Sequence, residues 1–230
     1  MTTRFMRNTP YANTEFEMQL IPGFSPRRSG MAVSRFEYSD RDCDCGFCTY
    51  KGRKKKCTSP AGCVCLRERL VAGCVPFDEL LGVFTAEVRE RPFVNRVSCL
   101  LARTQTIFTD RRHFQCFEQR WKERVKMQDE AAWCAALYLL TSDMFLWSKA
   151  ETAVHPDFID FPAIHIHGVD LDGYVLFHTA KDLYKGTSHI SLSELIDPEL
   201  VSDEAFWRIV TAFLIRRYGV EVLSAERMEK

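Results

Sequence analysis

The sequence predicts a mostly α protein, in which an N-terminal extended arm and a small cysteine-rich module precede a helical C-terminal domain. Three observations carry this. From Thr109 onward, apolar residues recur at three- and four-residue intervals between helix-capping signals. Six cysteines crowd into "CDCGFCTYKGRKKKCTSPAGCVC", residues 43–65. Ahead of them, residues 1–40 carry Pro10, Pro22, Gly23, Pro26 and Gly30 with little periodicity. With 230 residues, 46% hydrophobic and 12% aromatic, the chain can bury a substantial core. The expected organisation is an arm over 1–40, a cysteine-rich module over 41–75, a helical linker over 76–108 and a helical domain over 109–230.

Each element has its own warrant. In the arm, "SRFEYS" alternates Phe36 and Tyr38 with polar neighbours, the period of a short strand. In the linker, "FDELLGVFTAEVRE" places Phe77, Leu80, Leu81 and Phe84 at helical spacing, and "NRVSCLLARTQ" adds a second apolar patch. Thr109 or Asp110 can cap a helix with Phe114, Phe117, Trp121 and Val125 on one face. "DEAAWCAALYLLTS" is apolar nearly all round, as expected of a central helix. "DGYVLFHTAKDLYKG" opens at Asp172–Gly173, presents Tyr174, Phe177, Leu183 and Tyr184, and stops at Gly186. "ISLSEL" carries a capping box, Ser191 with Glu194. The last helix, "SDEAFWRIVTAFLIRRYG", has Ser202 as its cap and Phe206, Ile209, Val210, Phe213 and Leu214 on its inner face. Arg216 and Arg217 fall in its last turn, before Gly219.

The cysteine module poses the chemical question. A C-x2-C pair (Cys45, Cys48), a lone Cys57 and a C-x-C pair (Cys63, Cys65) supply the paired groups of thiolates that tetrahedral zinc requires. The polar segment between them, "TYKGRKKK", cannot form a core, so zinc would provide most of the module's folding energy, on the order of 10 kcal/mol. Four thiolates would also serve an iron–sulfur cluster. Zinc is favoured because no flavin, nucleotide or radical-chemistry motif accompanies the cysteines. The expected ligands are Cys45, Cys48, Cys57 and either Cys63 or Cys65, with Cys43 and Cys74 as spares. Cys99, Cys116 and Cys134 fall at apolar or helical positions and are expected in the core.

The basic run holds Arg53, Lys54, Lys55 and Lys56. It can contact phosphates in a salt-dependent way, or form a solvated loop that meets an acidic protein surface. Net charge is zero overall, but residues 1–108 hold 17 basic and 11 acidic residues (+6) and residues 109–230 hold 14 and 20 (−6). His165, His167, Asp170 and Asp172 in "HIHGVDLDG" form a metal-like H-x-H pattern. The plainer reading is a loop whose Asp170 or Asp172 caps the next helix. His113 beside Asp110, His178 beside Asp182 and His189 beside Ser191 read as ordinary helix-surface or turn neighbours. G-x-S-x-G, Walker, G-x-G-x-x-G and H-E-x-x-H motifs are absent from the sequence, so no enzyme and no small-molecule substrate is expected. No basic-then-apolar leader opens the chain, and no window approaches the roughly 18 apolar residues of a membrane span, so the expected location is cytoplasmic.

"CDCGFCTYKGRKKKCTSPAGCVCLRERLVAGCV", with the later "ALYLLTSDMFLW" and "GYVLFHTAKDLYKGTSHISLSEL", resembles cysteine-rich proteins carried by phages and integrative elements of gut Clostridia. Those proteins have three consecutive cysteines where this chain has Cys63, Val64 and Cys65, and they lack His165 and His167. The plan of a metal-stapled module joined to a helical domain is similar to that of zinc-containing anti-CRISPR inhibitors. These resemblances imply a non-enzymatic role in the cytoplasm of a host bacterial cell, with the Cas9 of a type II system as the protein partner. The alternative is a small DNA- or RNA-associated regulator that uses the basic loop.

Overall fold

The computed structural model describes residues 13, 70, 75–86, 88–103 and 106–223. Most of them belong to one compact unit, Phe77–Glu226. Eight α-helices lie in it: α1 (Phe77–Thr85), α2 (Arg91–Leu101), α3 (Arg111–Glu123), α4 (Glu130–Thr141), α5 (Met144–Ala150), α6 (Leu171–Lys185), α7 (Leu192–Ile196) and α8 (Asp203–Tyr218). Among the described residues the sole β pairing is an isolated bridge between Val154 and Ile159. No helix among them is long and apolar enough to cross a membrane.

The centre is α4, in which every residue from Ala132 to Thr141 is buried. A helix apolar on all sides must be enclosed on all sides. Accordingly α4 packs chiefly on α6 and α8, which also touch each other, while α3 and α5 flank it. Helices α1 and α2 pack against α8, and α7 packs against α2. The segment read as a linker therefore contributes core: Phe93 is buried and its ring lies 5.2 Å from that of Phe206.

Short polar side chains set the helix starts by accepting an otherwise orphaned backbone N–H. Asp110 accepts from His113 N at 2.8 Å, Asp129 from Ala132 N at 3.0 Å, Asp143 from Leu146 N at 2.7 Å and Ser202 from Ala205 N at 3.1 Å. The expected capping box at Ser191 and Glu194 is formed. Helix α6 begins at Leu171, just ahead of the expected opening at Asp172–Gly173: of the two expected caps Asp170 is the one used, and Asp172 instead accepts from Ser202 N at 2.9 Å, tying α6 to the start of α8. Gly186 closes α6 at φ 69°, a conformation that disfavours any side chain.

Two expected faces are corrected. On α3 the buried residues are His113 and Phe117. Phe114 is exposed, and Val125 is exposed beyond the helix end because Arg124 turns the chain into extended backbone. On α6 the inner face is Val175, Leu176, Phe177, Thr179, Ala180 and Asp182, which leaves Tyr174 outside. Of the three cysteines expected in the core, Cys134 is buried, Cys116 is half-buried and Cys99 is exposed. The buried line of α2 runs through Phe93, Val97 and Leu100, and Cys99 lies off it.

Candidate functional site

The expected zinc ligands Cys45, Cys48, Cys57, Cys63 and Cys65 lie outside the described residues. So do Arg53, Lys54, Lys55 and Lys56 of the basic run and the "SRFEYS" segment. His165 and His167 are exposed in the loop before α6. Among the described residues no three His, Cys, Asp or Glu side chains are arranged to hold a metal ion.

What the helical unit does concentrate is a polar node at the C-terminal end of α6. Asp182 is buried, yet every lone-pair direction of its carboxylate has a donor. Oδ1 accepts from Thr187 Oγ1 at 2.6 Å and from His189 Nδ1 at 2.5 Å, and Oδ2 accepts from the backbone N–H of His189 at 2.6 Å and of Ile190 at 3.3 Å. The Asp182 carbonyl takes the N–H groups of Gly186 and Thr187 as well. One side chain thus folds the segment 187–190 back onto the helix that precedes it. Burial opposes ionisation of Asp182, but the bonds from His189 and Thr187 outweigh it and hold the carboxyl below its ordinary range.

The bond to Asp182 fixes the proton of His189 on Nδ1, and the ring is half-exposed. The ring of His178 lies 5.8 Å from that of His189 and 4.3 Å from that of Tyr174. His178 Nδ1 is buried and has no hydrogen-bond partner. Its pKa is lowered by burial and then by the neighbouring His189 and Lys181. The sequence pairs His178–Asp182 and His189–Ser191 are therefore replaced by Asp182–His189, a contact across the helix end.

Large apolar side chains are also exposed at the starts of two helices. Met144 and Phe145 open α5 and are 41% and 50% exposed, while Leu171 and Tyr174 open α6 at 49% and 43%. Gly168, at φ 86°, lies against the Phe145 ring, so the loop carrying His165 and His167 reaches the start of α5. Lys149 Nζ stands 5.0 Å above the Phe145 ring.

His113, read from the sequence as a surface residue, is instead a buried structural group. Its Nδ1 accepts from the backbone N–H of Thr109 at 3.3 Å, so Nε2 carries the proton and donates it to the Tyr138 carbonyl at 3.0 Å. Burial lowers its pKa to about 3, against the opposing pull of the Tyr138 carbonyl. Its position four residues before Phe117, on the same helical face, is the sequence signal for burial. No family model, curated protein or solved structure matches this chain.

Proposed function

We propose that this protein acts by binding another protein, as a zinc-stapled and non-enzymatic inhibitor, and that its partner is a Cas9-type nuclease. The observation that carries the binding role is the exposure of Met144 and Phe145 at the start of α5 and of Leu171 and Tyr174 at the start of α6, two helices in contact, with Gly168 of the intervening loop lying against Phe145. Large apolar and aromatic side chains grouped on a surface are the composition of recognition patches. The −6 charge of residues 109–230 suits the cationic surfaces with which such nucleases hold nucleic acid. The cysteine pattern supports a structural zinc, and the resemblance in plan to anti-CRISPR inhibitors supports the choice of partner.

The test is co-elution with Cas9 on a sizing column together with a target-cleavage assay. A complex that forms, lowers cleavage and is weakened by Phe145→Asp and Tyr174→Asp supports the proposal. Both positions are about half exposed, so neither change disturbs the core. Absence of both complex and inhibition overturns the choice of partner. The run Arg53 to Lys56 favours the second reading, association with nucleic acid. That reading requires retardation of generic DNA that disappears between roughly 50 and 200 mM salt.

A further inference from the structure

We propose that His189 is a phosphoryl-acceptor site, whose Nε2 takes a phosphoryl group from a donor of the phosphoramidate class. A histidine is readied as a nucleophile or base when a carboxylate holds one ring nitrogen and leaves the other free. Asp182 holds His189 in this way. Its side chain is only 10% exposed, Oδ1 takes the His189 Nδ1 proton at 2.5 Å, and Oδ2 accepts from the backbone N–H of the same His189 at 2.6 Å. Thr187 and Ile190 also donate to the carboxylate, which fixes it against rotation. The His189 side chain is nevertheless 47% exposed, and within the described residues its ring is hydrogen-bonded through Nδ1 alone.

The surroundings of the ring suit a phosphoryl group. His178 lies 5.8 Å away, ring to ring, and is braced on its other side by Tyr174 at 4.3 Å. A proton on its buried Nδ1 would be a donor without an acceptor, so the neutral ring carries its proton on Nε2, the nitrogen that is not buried. This places an N–H donor beside His189 for phosphoryl oxygens. Lys181 is near enough for its charge to act on His178, which adds a cation to the same face. In the transfer, the Nε2 lone pair of His189 forms a new N–P bond as the P–N bond of the donor breaks. The donor nitrogen, already protonated at neutral pH, leaves as the free amine. The ring keeps its Nδ1 proton and gains a positive charge, which the Asp182 carboxylate offsets. One P–N bond replaces another, which is why the phosphoramidate class is the matching donor.

The experiment treats the full chain with potassium phosphoramidate near neutral pH and follows acid-labile phosphate at each histidine by peptide mass mapping. His165 and His167 are exposed and serve as references within the same molecule. His189 should be labelled about tenfold faster than either, and the preference should vanish in urea, where the Asp182 contact is lost. Asp182→Asn and His178→Phe should each slow labelling of His189 and leave the rates at His165 and His167 unchanged. Should either variant fail to fold, the comparison of native and urea-unfolded chain decides alone. Labelling of His189 no faster than of His165 and His167, a preference that survives urea, or an undiminished His189 rate in either folded variant would each overturn the proposal.

Discussion

Acidification should unfold the helical unit through His113 in a way that can be isolated. Above pH 6.5 the imidazole is neutral in both the folded and unfolded states, so it adds no pH dependence. Below 6.5 the unfolded chain takes up a proton. The folded chain cannot, because Nδ1 faces the Thr109 N–H donor and the ring is sealed in the core. Stability contributed by the neutral ring is therefore lost as pH falls from 6.5 towards the folded value of about 3. The slope is about 1.4 kcal/mol per pH unit, and the whole range is worth on the order of 5 kcal/mol. The assay is urea denaturation of the full chain at a series of pH values from 7 to 4, followed by tryptophan fluorescence. Trp121, Trp133, Trp147 and Trp207 are the four tryptophans of the chain, and all lie in the helical unit, so the signal reports this unit alone. His113→Gln should cost about 1–3 kcal/mol at pH 7 by misplacing the two buried hydrogen bonds, and should lower the proton uptake on unfolding by about one between pH 6 and 4. Other titrating groups are common to both proteins and cancel in the difference. An unchanged pH slope in the variant would refute the assignment of a sealed neutral ring.

Three further outcomes follow from specific contacts. Arg96→Ala should destabilise by about 2–4 kcal/mol, because Arg96 donates to the carbonyls of Leu195, Ile196 and Val201, pairs with Asp203 and covers the Phe206 ring at 4.4 Å. Arg96→Lys should recover only part of this in the same denaturation assay, since an ammonium cannot reproduce the planar fork. Asp182→Asn turns one acceptor into a donor facing donors. It should cost about 1–3 kcal/mol and speed hydrogen exchange at the His189 and Ile190 amides. The stabilising contribution of ionised Asp182 is present above its unfolded value near pH 4 and is lost as pH falls below that through its depressed folded value, a window clear of most of the His113 range. Leu137→Ala in the fully buried α4 should cost about 2–5 kcal/mol by thermal or urea unfolding.

Much of the helical architecture was legible in the sequence because it rests on local signals. Asp110, Ser191, Ser202 and Gly186 act at short range, and the apolar run 131–140 can satisfy itself only at the centre of a core. What the sequence hid depends on packing between distant segments. Periodicity cannot say what α1 and α2 pack on, so the sequence reads 76–108 as a helical linker and does not show their packing on α8. A histidine counts as polar in any apolar pattern, which conceals His113, whose burial depends on a carbonyl 25 residues away. The Asp182–His189 contact crosses a helix end and joins neither residue to its nearest sequence partner. Asp170 and Asp172 are both plausible caps by type, and only the docking of α8 gives Asp172 its other role.

The central claim is a zinc-stapled protein, and elemental analysis of the reduced, purified full chain tests it most directly. About one zinc per chain is predicted, with loss of the metal in Cys48→Ser while the tryptophan-reported unfolding of the helical unit is preserved. A metal-free protein, or a brown preparation that contains iron instead of zinc, would contradict the claim.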